Sequence, residues 1–158
     1  MTTITKSAMS QSRQFGNTPF GNSSRLPFNF TTSSAGVAAN TDLATAVQVA
    51  DVVILGTLPA GFNLQDAQII ISDAFTAATT ASIGFVYADG VDSTVVPQDA
   101  TFFASALATS STGVSRKTSV AAPVTLPKDA NLILTIGGAA HASVGVMDII
   151  VEGINVGG

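Results

Sequence analysis

The sequence has no cysteine, no tryptophan and very little charge. Without cysteine the fold uses no disulfide and no thiolate metal site, and there is no cysteine nucleophile. Only 10% of the 158 residues are charged, whereas about a quarter of the residues in a typical soluble domain are. Because surfaces with so little charge tend to associate, we expect partners to cover much of this one.

Long apolar runs are also missing. Runs such as 52–55 and 69–71 are far shorter than the roughly 20 residues that cross a bilayer. The residues after Lys6 are polar, so no signal peptide is predicted. We therefore expect no membrane partner and a single domain of ordinary size that carries a tail.

Catalytic constellations are scarce as well. The one histidine, His141, lies in a loop of small residues, where Ser143 and Asp148 are its only candidate partners for a hydrolytic triad. Nothing in the sequence pre-organises these groups, so an exposed or interface histidine is the better prediction. Zinc needs three or four ligands, and no glycine-rich phosphate loop is present. We expect no enzyme and no cofactor.

Three acids, Asp89, Asp92 and Asp99, cluster along the chain and raise the possibility of a calcium site. Their spacing does not match an EF-hand loop. A solvated β-turn at Asp89, built on the Asp-Gly pair, is the favoured interpretation. A glycosidase role for the same acids is disfavoured because the chain has one tyrosine and no tryptophan to stack against sugars.

Residues 1–41 are predicted to form an extended N-terminal arm, with the folded domain over 42–158. Serine, threonine, asparagine, glutamine, glycine and proline make up 25 of these 41 residues, too polar a stretch to offset its ordering entropy. Yet it carries Phe15, Phe20, Phe28 and Phe30, which we interpret as anchors that order on binding. The alternative is that some of these rings fold back onto the parent domain.

Charge is distributed unevenly between the two parts. Residues 1–41 contain three bases and no acid, whereas the remainder has a net charge of −7. Arg13 and Arg25 are therefore predicted to meet an acidic partner surface. So few cations would bind a polyanion only weakly, and we expect no nucleic-acid partner.

Beyond the arm, short apolar runs recur about every ten residues with turn signals between them. Period-two alternation is clearest in 82–88 and in 144–152, where Asp148 and Glu152 should face water. This pattern predicts an all-β antiparallel sandwich, jelly-roll-like, with about eight strands. The last two strands, 131–136 and 144–152, are predicted to form a hairpin. An immunoglobulin-like sandwich is the rival, but its Cys–Trp–Cys marks are absent.

Several segments resemble those of small structural proteins encoded beside the major capsid protein in tailed bacteriophages. The similarity lies in strand pattern and turn chemistry and covers most of 47–152, but not the arm. The matching segments are VADVVILGTLPAG (49–61), AQIIISD (67–73), SIGF (82–85), ATFFA (100–104) and APVTLPKDA (122–130).

The resemblance implies a head decoration, or cement, protein on the capsid surface of a virion. Such a protein binds the outside of the assembled shell as a symmetric oligomer, with a homotrimer favoured over a homodimer, and clamps neighbouring major capsid protein subunits. A receptor- or glycan-binding fibre module and a minor coat subunit are the alternatives. The predicted partner-binding residues are Arg13, Phe15, Phe20, Arg25, Phe28 and Phe30.

Overall fold

The computed structural model describes residues 23–41 and 44–156, and every regular element assigned in these ranges is a β-strand. No helix in these ranges is long and apolar enough to cross a membrane. The nine strands are β1 (Ser23–Thr32), β2 (Val52–Leu58), β3 (Phe62–Asp73), β4 (Thr80–Tyr87), β5 (Asp99–Ala108), β6 (Gly113–Arg116), β7 (Val124–Thr125), β8 (Ala130–Gly137) and β9 (Gly145–Asn155).

The strands form two antiparallel sheets packed face to face. The five-stranded sheet has the order β1-β9-β3-β6, with the short β7 also paired to β3, and the four-stranded sheet has the order β2-β8-β4-β5. With β7 set aside, the chain threads eight strands through two layers in the jelly-roll order. The predicted jelly-roll-like β-sandwich is therefore confirmed.

Alternation along each strand builds the core between the sheets. In β9 the side chains of Met147, Ile149 and Val151 are at most 1% exposed, while Asp148 and Glu152 face outward. This is the predicted arrangement, and it follows because successive side chains of a strand point to opposite faces. Strand β4 shows the predicted alternation too.

The predicted hairpin between the last two strands is wrong. Strand β8 pairs with β2 and β4, whereas β9 pairs with β1 and β3, so the two lie in different sheets. The intervening residues 138–144 cross from one sheet to the other over the end of the sandwich. Alternation shows which residues point inward, but it does not show which strands are neighbours.

The described part of the predicted arm also belongs to the sandwich. All ten residues of β1 pair with β9, from Ser23 opposite Ile154 to Thr32 opposite Gly145. Residues 33–41 return to the fold through bridges that include Thr32 with Ala38. The stretch RLPFNF has a large apolar side chain at every second position, a strand signal that the surrounding serines and threonines concealed. Residues 1–22 lie outside the described residues.

Candidate functional site

Phe30, predicted to be a partner-binding anchor, is a core residue. It is 3% exposed, and its ring stacks on Phe75 with a centroid distance of 5.5 Å. The edge of His141 meets both rings, at centroid distances of 5.8 Å from Phe30 and 5.0 Å from Phe75. Phe30 therefore folds back onto the domain, because its position in β1 directs it between the sheets.

His141 is buried rather than exposed, so that prediction is wrong for the folded chain. Its side chain is 3% exposed, and neither ring nitrogen has a hydrogen-bond partner among the described residues. Its amide donates to the carbonyl of Val47 at 2.9 Å, which ties the 138–144 loop down over the sandwich. Burial lowers the pKa of the His141 imidazole.

No hydrolytic triad forms around this histidine. The Ser143 hydroxyl lies 3.1 Å from that of Thr76, and Asp148 accepts a hydrogen bond of 2.8 Å from Asn29 on the outer face. Because neither group hydrogen-bonds to the imidazole, the described arrangement offers no base for a serine nucleophile.

Phe28 and Arg25 occupy two further environments. The half-buried ring of Phe28 packs on Gly56 of β2, so closely that a Cβ added to this glycine would lie 2.7 Å from the ring. Phe28 thus closes the seam between the edges of the two sheets. The side chain of Arg25 is 70% exposed and reaches Glu152 at 3.2 Å. The three described members of the predicted partner-binding set are therefore not brought together. Arg13, Phe15 and Phe20 lie outside the described residues.

The acids considered for calcium each bond within their own surroundings. The Asp89 carboxylate lies 2.7 Å from the Lys128 ammonium. Asp92 accepts the amide of Gln98 at 2.7 Å, and Asp99 accepts that of Thr101 at 2.8 Å. In the part of the chain that the structure describes, no three acids or histidines are grouped as a metal site would require.

The outer face of the five-stranded sheet carries a ladder of ion pairs. Arg25 on β1 pairs with Glu152 on β9, which also lies 3.3 Å from Arg116 on β6. Arg116 in turn donates from Nε to Asp66 on β3 at 2.8 Å. Burial alone would raise the pKa of Asp66, but the hydrogen bonds from Arg116 and from backbone amides lower it below its usual value. These four charged groups therefore pair with one another on the outside of the sheet.

The outer face of the four-stranded sheet is uncharged in contrast. Strands β2, β4 and β8 contain no acidic or basic residue, and β5 contains only Asp99 at its start. The strand register places Ile133 of β8 between Ile54 of β2 and Gly84 of β4. Ile54 is 62% exposed, while Ile133 is 3% exposed although it points outward. The start of β5 lies over Gly84, since a Cβ added there would be 2.0 Å from the carbonyl oxygen of Asp99. The uncharged apolar surface that stays open to a partner is therefore concentrated at β2.

Strand β2 is an edge strand of that sheet and has apolar side chains on both faces. Val52 and Ile54 are more than half exposed on the outside, and Val53 and Leu55 are only partly buried against the core. A continuous apolar run of this kind is typical of strands covered on both faces, yet β2 is an edge strand. The sequence analysis did not identify this surface, because the sequence does not show which strand lies at the edge of a sheet.

A groove lies beside this edge, with a volume of about 510 Å³. We call it the β2 groove. Its lining combines the apolar edge of β2 with the polar turn that leads into it. Among the described residues it is lined by Ala38, Asn40, Thr41, Val47, Asp51, Val52, Val53 and Ile54.

The other sheet edges carry features that discourage strand pairing. Strand β1 contains Pro27 and Arg25, β6 has four residues, and the pairing of β5 with β4 is interrupted by two register shifts. Proline, charge, shortness and bulges all protect edges from association. Strand β2 has one register shift, between Ile54 and Gly56, and neither charge nor proline, so it is the least protected edge.

Sequence comparison gives no relatives. No protein-family model matches the chain, and no curated protein matches it significantly. Structural comparison is informative, however. A chain of the capsid of Ralstonia phage GP4 superimposes with a TM-score of 0.60 at 14% identity, over 89% of this chain and 90% of that chain. A chain of the cyanophage Pam1 capsid asymmetric unit gives 0.56 at 14% identity, over 95% and 96% of the two chains.

The likeness is one of fold. It extends over nearly the whole length of both chains in each case. The neighbours are therefore small subunits of about this size and architecture, not larger proteins that share one domain with it.

Proposed function

We propose that this chain is a structural subunit of a phage capsid that attaches to the outside of the assembled shell. The observation that carries this proposal is the end-to-end likeness to single chains of two phage capsids. A fold by itself does not define a function, so the proposal also needs a surface suited to adhesion. The uncharged outer face of the four-stranded sheet supplies one.

The chemistry of the exposed side chains supports adhesion over recognition of a receptor or a glycan. Every large apolar side chain that is exposed among the described residues is aliphatic. Sugar and receptor sites normally present aromatic rings, which provide rigid contact area and polar tips. Aliphatic residues without charge suit a permanent protein contact, in which buried area stabilises the complex.

Clamping of neighbouring major capsid protein subunits would follow from symmetry. An oligomer, with a trimer favoured, presents identical patches to several shell subunits at once, so its avidity exceeds that of one contact. Because Phe28 and Phe30 pack within the sandwich and Arg25 pairs with Glu152, the proposed shell contacts of the N-terminal region are limited to Arg13, Phe15 and Phe20.

The test is to mix purified protein with shells that lack it and to measure co-sedimentation and the temperature at which the shells break. We expect the wild type to bind and to raise that temperature. The double substitution of Phe15→Ser with Phe20→Ser should reduce binding at least tenfold, whereas Val156→Ser, which removes a valine that is 56% exposed, should not. Failure of the wild type to bind or strengthen shells refutes attachment, and closed particles of purified protein would indicate a coat subunit.

A further inference from the structure

An apolar projection stands at one edge of the sandwich, in residues 118–124, which run from just after β6 to the first residue of β7. We call this stretch, TSVAAPV, the 118–124 segment; it has no charge. Val120 within it is fully exposed, with a relative exposure of 103%. Among the described residues, none covers this apolar side chain.

The segment is nevertheless held firmly at its base. The amide of Thr118 donates to the carbonyl of Phe103 at 2.9 Å, and the Lys117 ammonium donates to the carbonyl of Ala121 at 2.5 Å. The same ammonium lies 4.1 Å from the centroid of the Phe102 ring. An exposed valine on a segment fixed in this way loses little conformational freedom on binding, which favours association.

The topology places this projection and the β2 groove on opposite edges of the molecule. Strands β1 and β2 form one edge of the two sheets, and β6 and β5 form the other. The 118–124 segment follows β6 and is bonded to β5, while the groove lies along β2. The two features therefore cannot meet within one copy, but they face each other when copies stand side by side in the same orientation.

We propose that the 118–124 segment of one copy seats in the β2 groove of the next copy, with Val120 packed against Val52 and Ile54. The contact joins two different surfaces, so it is head-to-tail and generates a closed ring when the rotation between copies closes. Among the described residues, neither surface contributes a basic side chain, and the one acid that lines the groove, Asp51, accepts a hydrogen bond of 2.7 Å from the amide of Gln48. This inference deepens the oligomer of the proposed function, and its test needs no capsid.

Two charge-introducing variants separate this arrangement from its rivals. Ile54→Asp places a charge in the groove, Val120→Asp places one on the projection, and Val156→Asp is the matched control outside both. Sedimentation velocity should show an oligomer for the wild type and for the control. Each of the other two should weaken association at least tenfold, with unchanged circular dichroism.

Mixing the two defective variants gives the decisive result. A head-to-tail contact predicts that Ile54→Asp and Val120→Asp, monomeric alone, form a dimer together, because one pairing in the mixture unites two intact surfaces. A monomeric wild type, unaffected oligomers of either variant, or a mixture that stays monomeric would each overturn the proposal. A monomeric wild type that still binds shells would leave the proposed function standing.

A disulfide trap provides an independent check, since the chain has no native cysteine. Val120→Cys mixed with Ile54→Cys should give one covalent dimer under mild oxidation. Each variant alone should give much less, because a head-to-tail contact keeps two copies of the same residue apart. Equal cross-linking within each single variant would contradict the proposal and indicate a two-fold contact instead.

Discussion

Acid should destabilise this fold through His141 in the range between about pH 7.5 and pH 5. It is the only histidine in the chain, it is 3% exposed, and neither ring nitrogen has a hydrogen-bond partner among the described residues. Its ring neighbours, Phe30 and Phe75, carry no charge that would compensate a proton. Protonation of this buried ring is therefore unfavourable in the folded chain.

The direction and the magnitude of this change in stability follow from proton linkage. An unfolded histidine titrates near pH 6.5, and burial lowers the pKa of His141 in the folded chain. As the pH falls through about 6.5, the unfolded chain takes up a proton that the folded chain does not. Stability present above that pH is then lost until the pH reaches the folded pKa, at about 1.4 kcal/mol for each unit by which burial lowers the pKa.

Urea unfolding followed by far-ultraviolet circular dichroism measures this loss, since the chain has no tryptophan and one tyrosine. The free energy of unfolding should decrease between about pH 7.5 and pH 5 in the wild type. His141→Phe keeps an aromatic ring and cannot titrate, so its stability should stay level. His141→Ala should lose about 2–4 kcal/mol at every pH through its cavity. A level wild-type profile, or an equal loss in His141→Phe, would refute the reasoning.

Two further predictions concern the stability of the sandwich, measured by the same unfolding assay. Phe30→Ala should lower the free energy of unfolding by about 3–5 kcal/mol because the ring is buried, whereas Arg25→Ala should change it little. An equally small effect of the two substitutions would contradict the burial of Phe30. Gly84→Ala should cost at least ~2 kcal/mol, since its Cβ would lie 2.0 Å from the carbonyl oxygen of Asp99. Gly113→Ala, whose Cβ meets nothing within 4 Å, is the control that should stay near wild type.

Strand alternation allowed the sequence to predict the fold class and the inward residues of β9, because that signal is local. Strand neighbours are set by contacts between distant residues, so the hairpin between β8 and β9 was predicted wrongly. Strand β1 was assigned to an arm because its serines, threonines and Pro27 outweighed the alternating Leu26, Phe28 and Phe30 in a composition count. A count of residue types does not reveal the alternation of these three residues, whereas a search for period-two spacing would have revealed it.

The β2 groove lay beyond prediction for a related reason. The run 52–55 has the composition of a strand covered on both faces, and only the sheet order shows that one of its sides is open. Its absence of charge was visible in the sequence, but its meaning depends on which strands share a face. Once β2 is known to pair only with β8, the exposed side chains of Val52 and Ile54 are seen to border an uncharged sheet on its open side.

The uneven placement of charge predicts how the molecule would be oriented in the proposed assembly. The five-stranded sheet carries a row of ion pairs formed by Arg25, Glu152, Arg116 and Asp66. A partner that covered this row would remove several charges from water at once. Desolvating such a row costs more than its pairs return unless the partner supplies new hydrogen bonds. The four-stranded sheet carries no such cost. Water should therefore remain on the ion-pair face, and permanent protein contacts should form on the uncharged face and along its β2 edge.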